Sequence, residues 1–123
     1  MKIQESAENY LETILVLSLD KPYVRSIDIA NELGFSKPSV SVAMKNLRNS
    51  GHIRVDENGH ITLAPPGKKI AEMIYERHRI LSQWLKSLGV SRETASEDAC
   101  RIEHVISEES FAAIKDHLKQ TSV

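Results

Sequence analysis

The stretch SIDIANELGFSKPSVSVAMKNLRNSGHIRVDENGHITL (Ser26–Leu63) constrains the fold more than any other part of the chain. Ser26 can cap a helix running through Leu33, and Gly34 can take the left-handed geometry that closes one. Only GFS (Gly34, Phe35 and Ser36) separates that helix from the next. Ser36 can cap again, and Pro38 falls in the first turn, where its missing N–H costs nothing. The second helix shows Val40, Ala43, Met44 and Leu47 on one face and stops near Asn49–Gly51. Ile53 and Val55, then Ile61 and Leu63, alternate with polar residues on either side of Asn58-Gly59, a strong hairpin signal.

A short helix, a tight turn, a second helix and a two-stranded ribbon make a winged helix-turn-helix. Its second helix suits the major groove of double-stranded DNA. Ser36, Lys37, Pro38, Ser39, Ser41 and Val42 lie in or beside its first turns, where hydroxyls can reach phosphate or base edges and the helix dipole favours phosphate. Lys45 and Arg54 add attraction to the backbone, and Val42 can meet a thymine methyl. The formal net charge of −1 hides a segregation: from Ser36 to Val55 there are four basic residues and no acid, whereas Ser91 to Ser110 carries six acids against two bases. Opposite fields in a small chain suit a polyanion at one end and cations at the other. The bland alternative is a winged helix that serves protein contacts, its basic run merely solvated.

Around this segment the periodicity places helices over Gln4 to Leu19, from Pro65 or Pro66 to about Leu88, through Cys100 to Ile106, and over Glu108 to Lys119. The expected fold is mainly α with a small β-hairpin: a DNA-binding domain over 1–64 and an all-α dimerisation and metal-binding lobe over 65–123. With 123 residues no third domain fits. No apolar run approaches the roughly 20 residues of a membrane span, and the N-terminal residues show no secretory signal, so a cytoplasmic location is expected. One cysteine makes no internal disulfide.

In the second lobe, DACRIEHVIS (Asp98–Ser107) puts Cys100, Glu103 and His104 at i, i+3 and i+4, on one face of a helix. Thiolate, carboxylate and imidazole together are ligands for late first-row divalent ions. His78 lies within the apolar stripe of the long helix, and Glu12 and Asn9 stand one turn apart on the first helix. Taken singly, His78 reads as a satisfied core residue and Glu12 as a solvated carboxylate. Trp84, Leu85, Leu88, Phe111, Ile114 and Leu118 exceed what so small a lobe can bury, which points to a homodimer interface.

The order AENYLETI, winged helix, GKKIAEMIYERHRILSQWL and EDACRIEHVISEE resembles the metal-dependent repressor family of the diphtheria toxin repressor and the manganese transport regulator. RHRIL and ACRIEHVIS carry it most specifically. The resemblance implies a homodimer that binds palindromic operators when a divalent ion, Fe²⁺ or Mn²⁺ with Zn²⁺, Co²⁺ or Ni²⁺ as substitutes, joins the lobes. It implies ligands from His78, Cys100, Glu103 and His104, completed by Asn9 or Glu12. Cys100 follows the iron branch and Glu12 the manganese branch, while Asn9 stands where those branches have Met and Asp. Other readings are a winged-helix regulator without metal sensing, with Cys100 as a redox group, and a metalloenzyme; the absence of HExxH, paired carboxylates or a Gly-rich phosphate loop weighs against the latter.

Overall fold

Six helices and one hairpin account for residues 5–121, the part that the computed structural model describes. They are α1 (Glu5–Asp20), α2 (Ser26–Leu33), α3 (Lys37–Asn49), β1 (Ile53–Val55), β2 (Ile61–Leu63), α4 (Pro65–Ser87), α5 (Arg92–Ile102) and α6 (Glu108–Thr121). Two compact units divide inside α4, the first ending at Glu72 and the second starting at Met73. Gln4, expected as the start of the first helix, lies outside the described residues. Among the described residues no helix is long and apolar enough to cross a membrane.

In the first unit the apolar stripes meet in one core. Leu11, Ile14, Ile29, Val40, Met44, Leu47, Ile53, Ile61 and Ala71 are buried there. Gly34 closes α2 at φ 69, its N–H donating to the Ala30 carbonyl, as the glycine after a helix should. At the other end of α2 the expectation needs correcting, because Ser26 is the first helical residue and not the cap. Asp28 does the capping instead: its carboxylate accepts the Arg25 N–H at 2.8 Å and pairs with Lys21 at 3.0 Å. The Arg25 N–H, then the Lys21 ammonium, hold the Asp28 carboxyl below its ordinary value.

β1 and β2 pair antiparallel with Ile53 opposite Leu63 and Val55 opposite Ile61. The β2 edge is tied down by the Ile61 N–H, which donates to the Val24 carbonyl at 2.7 Å. Asn58-Gly59 does not form a two-residue turn; the strands are joined by the five residues 56–60. Asp56 outcompetes the tighter turn by accepting the N–H groups of Asn58 at 2.8 Å and His60 at 2.9 Å. The His60 N–H, helped by that of Asn58 and by the His60 ring, keeps the Asp56 carboxyl below the usual range. Both depressed carboxylates therefore favour the fold at neutral pH, and that support is lost as the pH falls through their lowered values.

α4 begins where the backbone crowds. A side chain on Gly67 would run into the His52 carbonyl, which also accepts the Ala64 N–H at 3.0 Å. Gly67→Ala is expected to destabilise the first unit by roughly 1–3 kcal/mol, because the backbone has to move to admit one methyl. Urea denaturation followed by far-UV circular dichroism checks this, and an unchanged midpoint would show that the strand can give way.

The second unit is small. Leu81, Ala99 and Phe111 form its centre, with Ile80, Trp84, Ile102, Ile106 and Ile114 packed around them. Ala95 and Ala99 of α5 are fully buried. Ser91 caps α5 through the Thr94 N–H at 3.3 Å, and Ser107 caps α6 through the Ser110 N–H at 3.1 Å. The helix expected to run through Val105 ends at Ile102, and residues 103–105 form a turn. Val105, in that turn, is 74% exposed.

Candidate nucleic-acid interface and metal centre

Burial of Val40, Met44 and Leu47 fixes the rotation of α3 about its axis. The opposite line then runs through Pro38, Val42, Lys45 and Asn49 at i, i+4, i+7 and i+11, all exposed, with Lys37 and Ser41 beside them. The Ser36 hydroxyl accepts the Ser39 N–H at 3.3 Å and donates to the Ser39 hydroxyl at 2.8 Å. These two serines thus engage one another in the helix cap, and the outward polar groups begin with Lys37 and Ser41. Asn46, which the sequence reading passed over, is exposed one turn beyond Val42. Its i+4 spacing from Val42 was the available signal.

The wing extends the same charge. Arg54 and Thr62 are cross-strand partners, both exposed. Arg54 also lines a shallow depression with Arg48, Gly51, Pro65 and Pro66, and a second one with Lys68 and Lys69. Lys68 and Lys69 were missed because they follow the hairpin, at the start of α4. At the wing tip Asp56 and Glu57 are exposed. Phosphates would be repelled there and attracted along the strand side, which favours the Arg54 edge as the contact.

Glu103 anchors the second constellation. It is the residue that ends α5, its N–H donating to the Ala99 carbonyl, and its side chain is fully buried. His78 Nδ1 lies 2.9 Å from Glu103 Oε2, and His104 Nε2 lies 3.4 Å from Oε1. Oε1 makes no hydrogen bond although it is shielded from water. A buried carboxylate oxygen in that condition is costly, and a cation answers the cost. Carboxylate plus two imidazoles is moreover a donor set that borderline divalent ions accept, so the residues present fit such an ion.

Arg77 is a further residue that sequence reasoning missed. It is buried, and its Nη1 donates to the carbonyls of Glu103 at 3.2 Å and Ile106 at 2.9 Å. The guanidinium also sits 5.6 Å from the centre of the Phe111 ring. It therefore holds the turn that presents Glu103 and His104. The only hint in the sequence was an arginine next to His78 on the apolar stripe.

The remaining expected ligands are placed as follows. Cys100 is exposed on α5, one turn before Glu103. Glu103 caps the helix in αR geometry with its N–H on the Ala99 carbonyl, three residues after Cys100, and His104 follows in the turn of residues 103–105. Glu12 is buried and Asn9 half-buried on α1 of the first unit. Of the residues expected at a dimer interface, Phe111 and Leu118 are buried within their own chain, Trp84, Leu85 and Ile114 are half-buried, and Leu88 is 62% exposed.

Comparison with known proteins agrees with both constellations. Residues 2–61 match the N-terminal DNA binding domain of the iron dependent repressor, and residues 64–123 match its metal binding and dimerisation domain. The transcriptional regulator MntR of Salmonella typhimurium is 36% identical over 110 residues, covering 89% of this chain and 70% of that protein. The manganese regulator SloR superposes with a TM-score of 0.80 at 25% identity over 97% of this chain. A manganese-dependent transcriptional repressor in complex with manganese gives 0.84 at 27% identity over 92%. This chain spans about half the length of those two solved chains, 55% and 52%. The matched families are repressors and not enzymes, which removes the metalloenzyme reading. A winged helix with a basic outer face, a second unit with a buried carboxylate between two histidines, and matches over both halves have one common meaning: the chain belongs to the iron dependent repressor family of metal-dependent transcriptional regulators.

Proposed function

We propose that this protein is a cytoplasmic repressor that binds a palindromic DNA operator as a homodimer when Fe²⁺ or Mn²⁺ is bound. The buried Glu103 carboxylate, with its unbonded oxygen beside His104 and its other oxygen on His78, is the observation that carries the reading. His78, Glu103 and His104 would hold the ion, with Cys100 as a thiolate donor and Asn9 or Glu12 as oxygen donors. A bound ion supplies positive charge that neutralises the carboxylates and fixes the ligand geometry. Arg77 orients Glu103 from the backbone side, and the Glu103 side chain is fully shielded from water. An ion that favours the DNA-competent arrangement shifts the population toward it, and DNA reciprocally tightens the ion.

Two recognition helices must then be set about 34–36 Å apart, one turn of DNA, or a multiple of that. With Phe111 and Leu118 occupied in the subunit core, the interface falls chiefly to Trp84, Leu85, Leu88 and Ile114. An anaerobic DNA-binding titration with Fe²⁺, Mn²⁺ and Zn²⁺ in turn tests the whole proposal; operator affinity indifferent to chelation would defeat it.

Two variants separate its parts. Lys37→Ala is expected to weaken binding across sequences and to lower the slope of log K against log salt by about one phosphate contact. An unchanged slope in fluorescence anisotropy would remove Lys37 from the interface. Cys100→Glu is expected to move the metal ranking toward Mn²⁺, since a hard oxygen replaces a soft thiolate. An identical ranking in the same titration would take Cys100 out of the ligand set.

A further inference from the structure

We propose that Val42 reads the methyl group of a thymine in each operator half-site, so that discrimination at that base pair is apolar. This inference rests on the DNA-binding reading above and names the base edge that reading leaves open. Val42 sits on the outermost line of α3, directly opposite Val40, Met44 and Leu47, and is 61% exposed. A β-branched residue there lowers helix propensity and gains little burial within the chain. Pro38 stands one turn before it and extends the apolar strip, with exposed Lys37 and Lys45 on its flanks.

The chemistry of the groove selects the partner. Among the four bases only thymine offers an apolar group in the major groove, its C5 methyl; the other edges offer donors and acceptors that an isopropyl group would strip of water without replacing. The valine therefore discriminates twice, by contact with thymine and by the penalty against every other base. The Ser36 and Ser39 hydroxyls are engaged with one another in the cap, and the exposed polar groups Lys37, Ser41, Lys45 and Asn46 stand around the valine and not in its place.

Duplexes selected from a randomised pool by the full chain with Mn²⁺ supply the probe. Each thymine is then replaced by uracil, which keeps base pairing and every hydrogen-bonding group and removes only the methyl. At one thymine per half-site, uracil is expected to weaken binding about fourfold, one methyl's worth of burial. Val42→Ala should abolish that thymine-to-uracil difference at an unchanged salt slope and an equal or higher melting temperature, and Val42→Ile should retain it. Uniform tolerance of uracil, or full discrimination persisting in Val42→Ala, would overturn the proposal while leaving metal-dependent DNA binding intact. A pool yielding no duplex preferred over bulk DNA at any metal concentration would overturn both readings together.

Discussion

Glu103→Gln is expected to eliminate metal-activated operator binding while leaving the fold in place. The amide matches the carboxylate in volume, and its oxygen can still accept from His78, so packing around the turn is preserved. What disappears is the negative charge. In the metal-free protein that charge is fully buried, with one oxygen unbonded, so removing it should leave the melting temperature unchanged or raise it. With metal present the two proteins diverge. Ligand binding to the folded state alone stabilises by RT ln(1 + [L]/Kd), about 2.7 kcal/mol at a hundredfold excess over Kd. The variant should lose that increment altogether, together with at least a hundredfold in Mn²⁺-dependent DNA affinity. Thermal shift with and without Mn²⁺, paired with fluorescence anisotropy on operator DNA, measures both, and a metal-induced rise of wild-type size in Glu103→Gln would refute the assignment.

Arg77→Met should do more damage to the fold and act on the metal indirectly. Methionine keeps much of the apolar stem that lies in the second unit, but the carbonyls of Glu103 and Ile106 lose their donor. Two charge-assisted hydrogen bonds, at the lower end of about 1.5 kcal/mol each, place the loss near 3 kcal/mol. The turn carrying Glu103 and His104 then loosens, and metal affinity should fall by about 10–100-fold, the range typical of groups that orient ligands. Arg77→Lys should recover only part of it, because one ammonium cannot reproduce the planar fork. Urea denaturation gives the first quantity and a competition titration with a chromophoric chelator the second. A stable variant of full metal affinity would show that the turn is held by its own backbone bonds.

The winged helix was legible because its signals are local. Gly34, the Ser36 cap and Pro38 each determine a backbone choice within a few residues, and the apolar stripes of α1, α3 and the wing declare which side faces in. Local competition was harder to weigh. The sequence offered Ser26 as a cap and Asn58-Gly59 as a hairpin signal; the hairpin formed, with Asp56 organising its loop, whereas Asp28 took the N–H at the start of α2 and displaced the Ser26 cap. A carboxylate accepts more strongly than a hydroxyl, and through two bonds Asp56 organises a longer loop than the glycine needed.

The metal centre divides more sharply. The donor types and their order along the chain were present in the residues, and the family resemblance followed from them. Their individual settings were not, because periodicity assumes that a helix continues. α5 stops at Ile102 with Glu103 as its still-helical cap, so His104 is the donor that falls within the turn beyond it. The reason is tertiary: the guanidinium of Arg77, 26 residues away from Glu103 in sequence, takes the carbonyls of 103 and 106.

By itself, then, the sequence determined the architecture, the polarity of charge along the chain and the donor types that the chain offers, all of which depend on residue type and short spacing. Only the tertiary structure decided that Glu103 is buried with an unbonded oxygen, that Arg77 holds it there, and that Phe111 and Leu118 belong to the core. Those are matters of how much water and how many partners each group retains, quantities set by segments that meet in space and are distant in the chain.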